Sequence, residues 1–420
     1  MSLDEKVFFR NQLNPKKYFI SRSLLDYCLV LILILSSTHT FFAEYEDEKL
    51  GIFVLISVLA AFFINRSISF MFFSLLIVYA VWIGFTAIYF DVWNAVTVLG
   101  FFTRIALAYA VLLVVKERFI PVFVDIVVYF SAISIPFYLI GLAFPSAMQQ
   151  VFDMVPDQLR ATEVLVGHGR DVIAWSRVDL LFYTFSPQRV AQNHGFMWEP
   201  TAFAFMIIFA FLFKMMRNGR KFDRVSWILI FALITTLSTT GYFVLMIILT
   251  YLFFLSEFKY KLLGVILFVP IVFFVSSSDF LLPKVMDEFS RGSAASTEEG
   301  YGGNSRFSSF LYDIQDTLQF PLGIGIFEEN RHIEAQKYGS VNGLSDTLAR
   351  FGMLGFLVVL VNLVLSLRVM PRSKELPMFN VLFVLCTLLL SWSERFYILP
   401  FFFAFQYYHF VVLKQRNLKF

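Results

Sequence analysis

Cysteine is almost missing from this chain. Cys28 and Cys386 are the only two in 420 residues, and both lie inside apolar runs. That leaves no disulfide framework and no metal-type cysteine spacing, so neither extracellular stapling nor zinc is expected. Charge is scarce as well, at 15% of residues against 58% hydrophobic. A soluble domain of this length cannot hide so much apolar surface, so the composition reads as a polytopic α-helical membrane protein. No internal repeat is visible, which removes direct support for an inverted-repeat transporter. The first apolar run begins near Leu24, is too long for a signal-peptide core and lacks a small-residue cleavage pattern after it. It therefore counts as a real span.

What the chain has in excess is phenylalanine, 55 residues, expected as lipid-facing filler and interfacial rings. The net charge of +3 becomes informative once sorted by side. Residues 1–23 are basic and place the N-terminus in the cytoplasm. About twelve apolar spans follow, with both termini inside. Lys116 and Arg118 end a fourth span of about Val92–Val115, and a fifth of about Ile120–Phe144 delivers the chain outside. On this layout 21 of the 34 Lys and Arg are cytoplasmic, 11 are external, and Arg104 and Arg350 lie in spans. The bias has the sign that the positive-inside rule demands, and every short inner loop agrees.

The layout divides the chain into spans 1–5 (residues 1–144), a first long outer loop (145–198), spans 6–9 (199–275), a second long outer loop (276–345) and spans 10–12 (346–420). Long loops carry function on a rigid scaffold, and here both face outward. Their cations are mostly arginine: Arg160, Arg170, Arg177 and Arg189 in the first, Arg291, Arg306 and Arg331 in the second. Guanidinium is a planar, multi-donor fork that suits phosphate and carboxylate. Most of these are expected to pair with loop acids such as Asp153 and Asp157. Arg189 and Arg306, which adjoin helices, are expected to serve a ligand.

The stretch Gln188–Pro200 ends the first loop and runs straight into an apolar helix, Thr201–Phe213. Arg189, His194 and Glu199 thus stand within a few residues of a membrane boundary, where charge is costly without a partner or ligand. In the second loop, Phe307, Phe310, Leu311, Ile314 and Leu318 make a helical stripe, with Ser305 as cap and Pro321 as stop. Arg291–Ser305, rich in Gly, Ser and Glu, is expected to be mobile. Gly323-Ile324-Gly325 is weak evidence for phosphate binding and is expected to be a bend. Asn342 and Asp346 place polar groups at the mouth of span ten, followed by Arg350.

Taken in order, Arg189…Gly195-Phe196-Met197-Trp198-Glu199-Pro200, the Leu237-Ser238-Thr239-Thr240-Gly241 turn, Arg306…Pro321-Leu322-Gly323-Ile324-Gly325 and Asn342–Gly352 resemble the O-antigen polymerase (Wzy-type) and O-antigen ligase superfamily. The resemblance covers roughly Arg189 to Gly352 and the span layout. It implies a GT-C-like, all-α membrane fold, with short helices in the two periplasmic loops, in the bacterial inner membrane. It also implies a metal-independent glycosyltransferase acting on undecaprenyl-pyrophosphate-linked oligosaccharide, with no cofactor and no nucleic acid. The bilayer, a chain-length regulator and a flippase are the expected partners. Ligases of this group typically carry a histidine shortly before the span that follows the second loop. Here His332 lies well upstream and Asn342 stands at that place, which favours a polymerase over a ligase delivering glycan to lipid A-core.

Displacing a lipid pyrophosphate requires its developing negative charge to be stabilised, and arginines can supply that field. Arg189 and Arg306 are expected to hold the pyrophosphate, with Arg350 and Arg104 as helpers and Asn342 and Asp346 lining the substrate site. Arg104 can instead pair with an acid in the bundle. Glu199 is the first choice to take the proton of the attacking sugar hydroxyl, and His194 the second. Glu199 can equally be a helix-start acid favoured by the dipole, with Pro200 in the first turn, and His194 a surface-loop histidine. A flippase for the same lipid is the rival from another class, and it would need charged residues along the bundle interior.

Overall fold

The computed structural model describes residues 24–37, 56–58, 69–155, 160–165, 173–179, 182–255, 306–331, 342–371, 373 and 375–417. Expectations for the second span, the ninth span, Arg291–Ser305 with its cap, and His332 lie mainly or wholly outside them. The architecture is helical. In chain order the helices are α1 (Leu24–Leu35), α2 (Phe70–Phe90), α3 (Ala95–Val115), α4 (Phe119–Ala143), α5 (Pro145–Asp153), α6 (Pro200–Asn218), α7 (Arg224–Thr235), α8 (Thr239–Leu255), α9 (Arg306–Gln319), α10 (Gly343–Val369), α11 (Phe379–Ser391) and α12 (Pro400–Asn417).

Among the described residues, four helical segments are long and apolar enough to cross a membrane: Phe70–Phe90, Ala95–Ala143, Pro200–Asn218 and Gly343–Val369. The second of these is α3 and α4 joined through Lys116–Arg118, where Lys116 takes a left-handed φ of 54°. The break falls where the basic residues predict a cytoplasmic turn. α1, α7, α8 and α11 are apolar but shorter. At a rise of about 1.5 Å per residue, the 12 residues of α7 reach about 18 Å, against a hydrocarbon core of about 30 Å.

α6 and α12 form the centre. α6 packs on α4, α7 and α8, and α12 packs on α10 and α3. Both carry aromatic rows that interlock: Phe209 stacks on Phe405 with ring centroids 5.6 Å apart, and Phe205 lies 5.6 Å from Phe401 and 3.9 Å from Phe396 in the turn before α12. Phe203, Phe209, Phe401, Phe402 and Phe405 are fully buried. This corrects the expectation of phenylalanine as lipid-facing filler, because along these two helices the rings are the core itself. Edge-to-face and offset contacts let flat rings fill space between helices that carry few branched side chains. On α2, by contrast, Phe70, Phe73, Val81 and Ile88 are exposed.

The first long loop departs from an all-helical expectation. After α5 it forms a small antiparallel sheet of β1 (Arg160–Leu165), β2 (Ile173–Asp179) and β3 (Thr184–Phe185), in that order. Phe152 of α5 stacks on Phe185 at 4.8 Å and fastens the sheet to the helix that precedes it.

Candidate functional site

Glu199 stands just before α6 in extended backbone, and Pro200 opens the helix. Pro is tolerated there because the first helical N–H has no intrahelical acceptor in any case. The loop ahead of it is pinned by Asn193, which is fully buried. The Asn193 amide donates to Ser134 Oγ at 3.1 Å and Thr235 Oγ1 at 2.9 Å, while its N–H donates to the Thr235 carbonyl at 2.9 Å. Its own Oδ1 accepts from Gly195 N at 2.9 Å. Gly195 has φ +55°, and a Cβ there would run into the Phe203 ring. A turn this tight against α6 therefore needs glycine.

This anchoring sets three of the expected site residues in place. Arg189 Nη1 lies 3.9 Å from Glu199 Oε2, with both side chains about a third exposed. His194 is buried, with Nδ1 3.4 Å from the Trp198 carbonyl, so it is not the surface histidine that its loop position allowed. Arg306, the first residue of α9, acts on the same carboxyl. The Arg306 carbonyl accepts from Asn342 Nδ2 at 3.4 Å. Asn342 in turn caps α10, its Oδ1 accepting from Leu344 N at 3.1 Å and Ser345 N at 3.2 Å.

The fourth side of the cluster is Glu394, in the turn between α11 and α12, whose carboxyl hydrogen-bonds that of Glu199. Burial works against the Glu199 charge, but the Glu394 hydrogen bond, Arg306, Arg189 and His194 outweigh it and hold the carboxyl below its ordinary value. Burial and the neighbouring Glu199 charge push the Glu394 carboxyl well up. The cluster brings Arg189 and Arg306 to the Glu199 carboxyl, and Arg306 and Arg395 to the Glu394 carboxyl, a concentration of guanidinium groups suited to an anion. Sequence reasoning passed over Glu394 and Asn193. Their only signals were an acid in a short outer turn and an asparagine two residues before a glycine.

Arg350, Asp346 and Arg331 belong to a second, buried network. Arg350 gives Nε to Asp346 Oδ1 at 2.9 Å, Nη1 to the Ile326 carbonyl at 2.9 Å, and Nη2 to Glu328. Arg331 reaches Asp313 at 2.6 Å, Glu328 at 2.9 Å, and Asp346. Ser345 Oγ donates to Asp313 Oδ2 at 2.6 Å. Three arginines, counting Arg395 at 3.7 Å from Glu328, thus meet three carboxylates. With each guanidinium nitrogen of Arg350 engaged, the network reads as a clamp of the second loop onto α10. Arg104 lies half-buried in the middle of α3.

Gly323-Ile324-Gly325 is a bend with a structural job. α10 breaks at Gly352, φ 68°, which frees carbonyls that an unbroken helix would use internally. Ile324 N donates to the Ala349 carbonyl and Gly325 N to the Arg350 carbonyl, each at 3.0 Å, while Met353 N donates to the Pro321 carbonyl at 3.0 Å. The backbone N–H groups that could cradle phosphate are spent on the helix. The side chains of Arg160 and Arg177, together with Arg170, Arg291 and His332, lie outside the described residues.

At one end of the helical assembly, then, residues from both long loops and from the α11–α12 turn make a carboxyl pair flanked by arginines. No protein-family model, curated protein or solved structure matches the chain.

Proposed function

We propose that this chain is a polysaccharide polymerase of the bacterial inner membrane. It transfers a growing glycan from undecaprenyl pyrophosphate onto a lipid-linked repeat unit at the periplasmic face, without a metal or cofactor. The product is O-antigen, capsule or exopolysaccharide. The observation that carries the reading is the convergence of Arg189, Arg306, His194, Glu199 and Glu394 at one end of an apolar helical assembly. The proposal includes twelve spans in a GT-C-like arrangement with both termini in the cytoplasm. The four long apolar helices, the break at Lys116 and the sorting of Lys and Arg support it.

In this account Arg189 and Arg306 hold the diphosphate and stabilise the charge that grows on it as the sugar departs. Glu199, ionised and within their field, takes the proton of the attacking hydroxyl. His194, buried behind the loop, fixes its shape and adds to the positive field at Glu199. Asn342 acts one step back, by capping α10 and holding the Arg306 carbonyl at the start of α9, and Asp346 by binding Arg331 and Arg350. The position of the cluster at helix ends, rather than along the bundle interior, favours chemistry over passage of a substrate.

The test is incubation of the purified protein with a lipid-pyrophosphate-linked repeat unit in the presence of EDTA. A ladder of products supports the polymerase. Transfer to an added lipid A-core acceptor without a ladder would make the protein a ligase. Movement of the lipid across vesicles with no new glycosidic bond would make it a flippase.

A further inference from the structure

Glu199 and Glu394 come from opposite halves of the chain, yet several independent contacts bring their segments together, and their side chains meet. Phe396 packs on Phe205, one turn into α6, at 3.9 Å between ring centroids. The Thr240 and Ser393 hydroxyls hydrogen-bond and tie this turn to the one that links α7 and α8. The Glu394 carbonyl lies so close to Gly343 that a Cβ there would overlap it. Glu394 Oε1 is shut off from solvent and meets no donor among the described residues. Two ionised carboxylates cannot hydrogen-bond each other, so a contact of this kind requires a proton between them. The charged groups facing the pair are Arg306 and Arg395 on the Glu394 side, and Arg306, Arg189 and His194 on the Glu199 side.

We propose that Glu394 is a positioning residue that acts through Glu199, the two carboxyls sharing one proton and together relaying the proton of the transfer reaction. The proposal rests on the glycosyl-transfer reading of this site. In that step the acceptor oxygen bonds to the anomeric carbon, the bond from that carbon to the diphosphate oxygen breaks, and its electron pair leaves with the diphosphate. The hydroxyl proton passes to Glu199. The pair then holds two protons and yields one to the departing diphosphate, which restores the one-proton state. Arg189 and Arg306 keep Glu199 ionised until the hydroxyl arrives, and Glu394 holds its carboxylate oriented. A lone Glu199 would swing towards Arg189 and lose that aim.

Glu394→Gln separates the roles, because its amide still donates to Glu199 but yields no proton. The expected result is a folded enzyme with KM for the donor lipid within about threefold of wild type and kcat lower by about a hundredfold or more, the usual scale of a lost proton-transfer group. Glu394→Asp, which keeps a proton, should recover much of that loss with a displaced pH profile. Infrared spectroscopy of the wild type at neutral pH should show a carboxylic-acid carbonyl band that Glu394→Gln removes. A Glu394→Gln enzyme with wild-type kcat and pH profile, or an active wild type without the band, would overturn the proposal. A wild type that shows the band but makes no polymer would retire the glycosyl-transfer reading and leave the one-proton pair standing.

Discussion

At the scale of single residues, the account turns on Arg189, Arg306 and Glu199. Arg189→Ala should abolish polymer while membrane-inserted protein stays at wild-type level, because the side chain is partly exposed and its ion pair with Glu199 is long, at 3.9 Å. Chains of wild-type length from that variant would remove Arg189 from the site. Arg306→Lys should fare little better than Arg306→Ala, since an ammonium lacks the fork that grips a diphosphate. The carboxyl pair also sets a pH dependence. Glu199 is held below the usual glutamate range, so its ionised form persists until the pH falls through that lowered value, and the acid limb of kcat/KM belongs there. Glu394 is raised, so the alkaline limb comes where the pair loses its last proton and two carboxylates repel. Gly343 belongs to this scale too. Gly343→Ala would drive a Cβ into the Glu394 carbonyl and spread the carboxyl pair, which should cost turnover far more than expression.

At the scale of elements, the second loop is held by a charge network as well as by the burial of Ile324, Ile326 and Phe327. Arg331 is fully buried and serves Asp313, Glu328 and Asp346, so Arg331→Met strands carboxylates away from water. Breaking such a network by removing one partner costs about 3–5 kcal/mol. A matching fall in thermal stability, with earlier proteolysis of the second loop, is the expected outcome. Unchanged stability with lost activity would make Arg331 a substrate ligand instead. Glu328 lends the clamp a pH sensitivity of definite sign. Burial opposes its charge, but Arg350 and Arg331 hold its carboxyl low, so its contribution is full above the usual glutamate value and is lost as the pH falls through the lowered one. Much at this scale was legible in the sequence. Glu199-Pro200 marked the start of α6, and the apolar stripe with Pro321 marked α9. Lys116 and Arg118 marked the break between α3 and α4. The sheet of the first loop was not legible, because β1 and β2 are short and rich in polar residues, and a polar stretch between spans reads simply as loop. The aromatic core was missed for a related reason. Periodicity cannot separate a lipid-facing helix from a buried one when both are apolar all round.

At the scale of the whole molecule, function depends on residues that no local pattern connects. Glu394 meets Glu199 only because α11 and α12 fold back against α6. Asn193 matters only because Ser134 and Thr235 end up beside it. The sequence marked the arginines and Glu199 through their nearness to a membrane boundary, but not their partners across the bundle. The twelve-span layout makes its own prediction. Met154, exposed after α5, and Lys221, in the turn before α7, belong on opposite sides of the membrane. With Cys28 and Cys386 replaced, a cysteine at position 154 should react with an impermeant reagent in intact spheroplasts, and one at 221 only after permeabilisation. Reaction of both from the same side would break the layout. The central claim is tested most directly by the purified protein, its lipid-pyrophosphate-linked repeat unit and EDTA, with wild type and Arg189→Ala run side by side. The account predicts a glycan ladder from the wild type and none from the variant. A ladder of equal length from both, or no new glycosidic bond from the wild type, would contradict it.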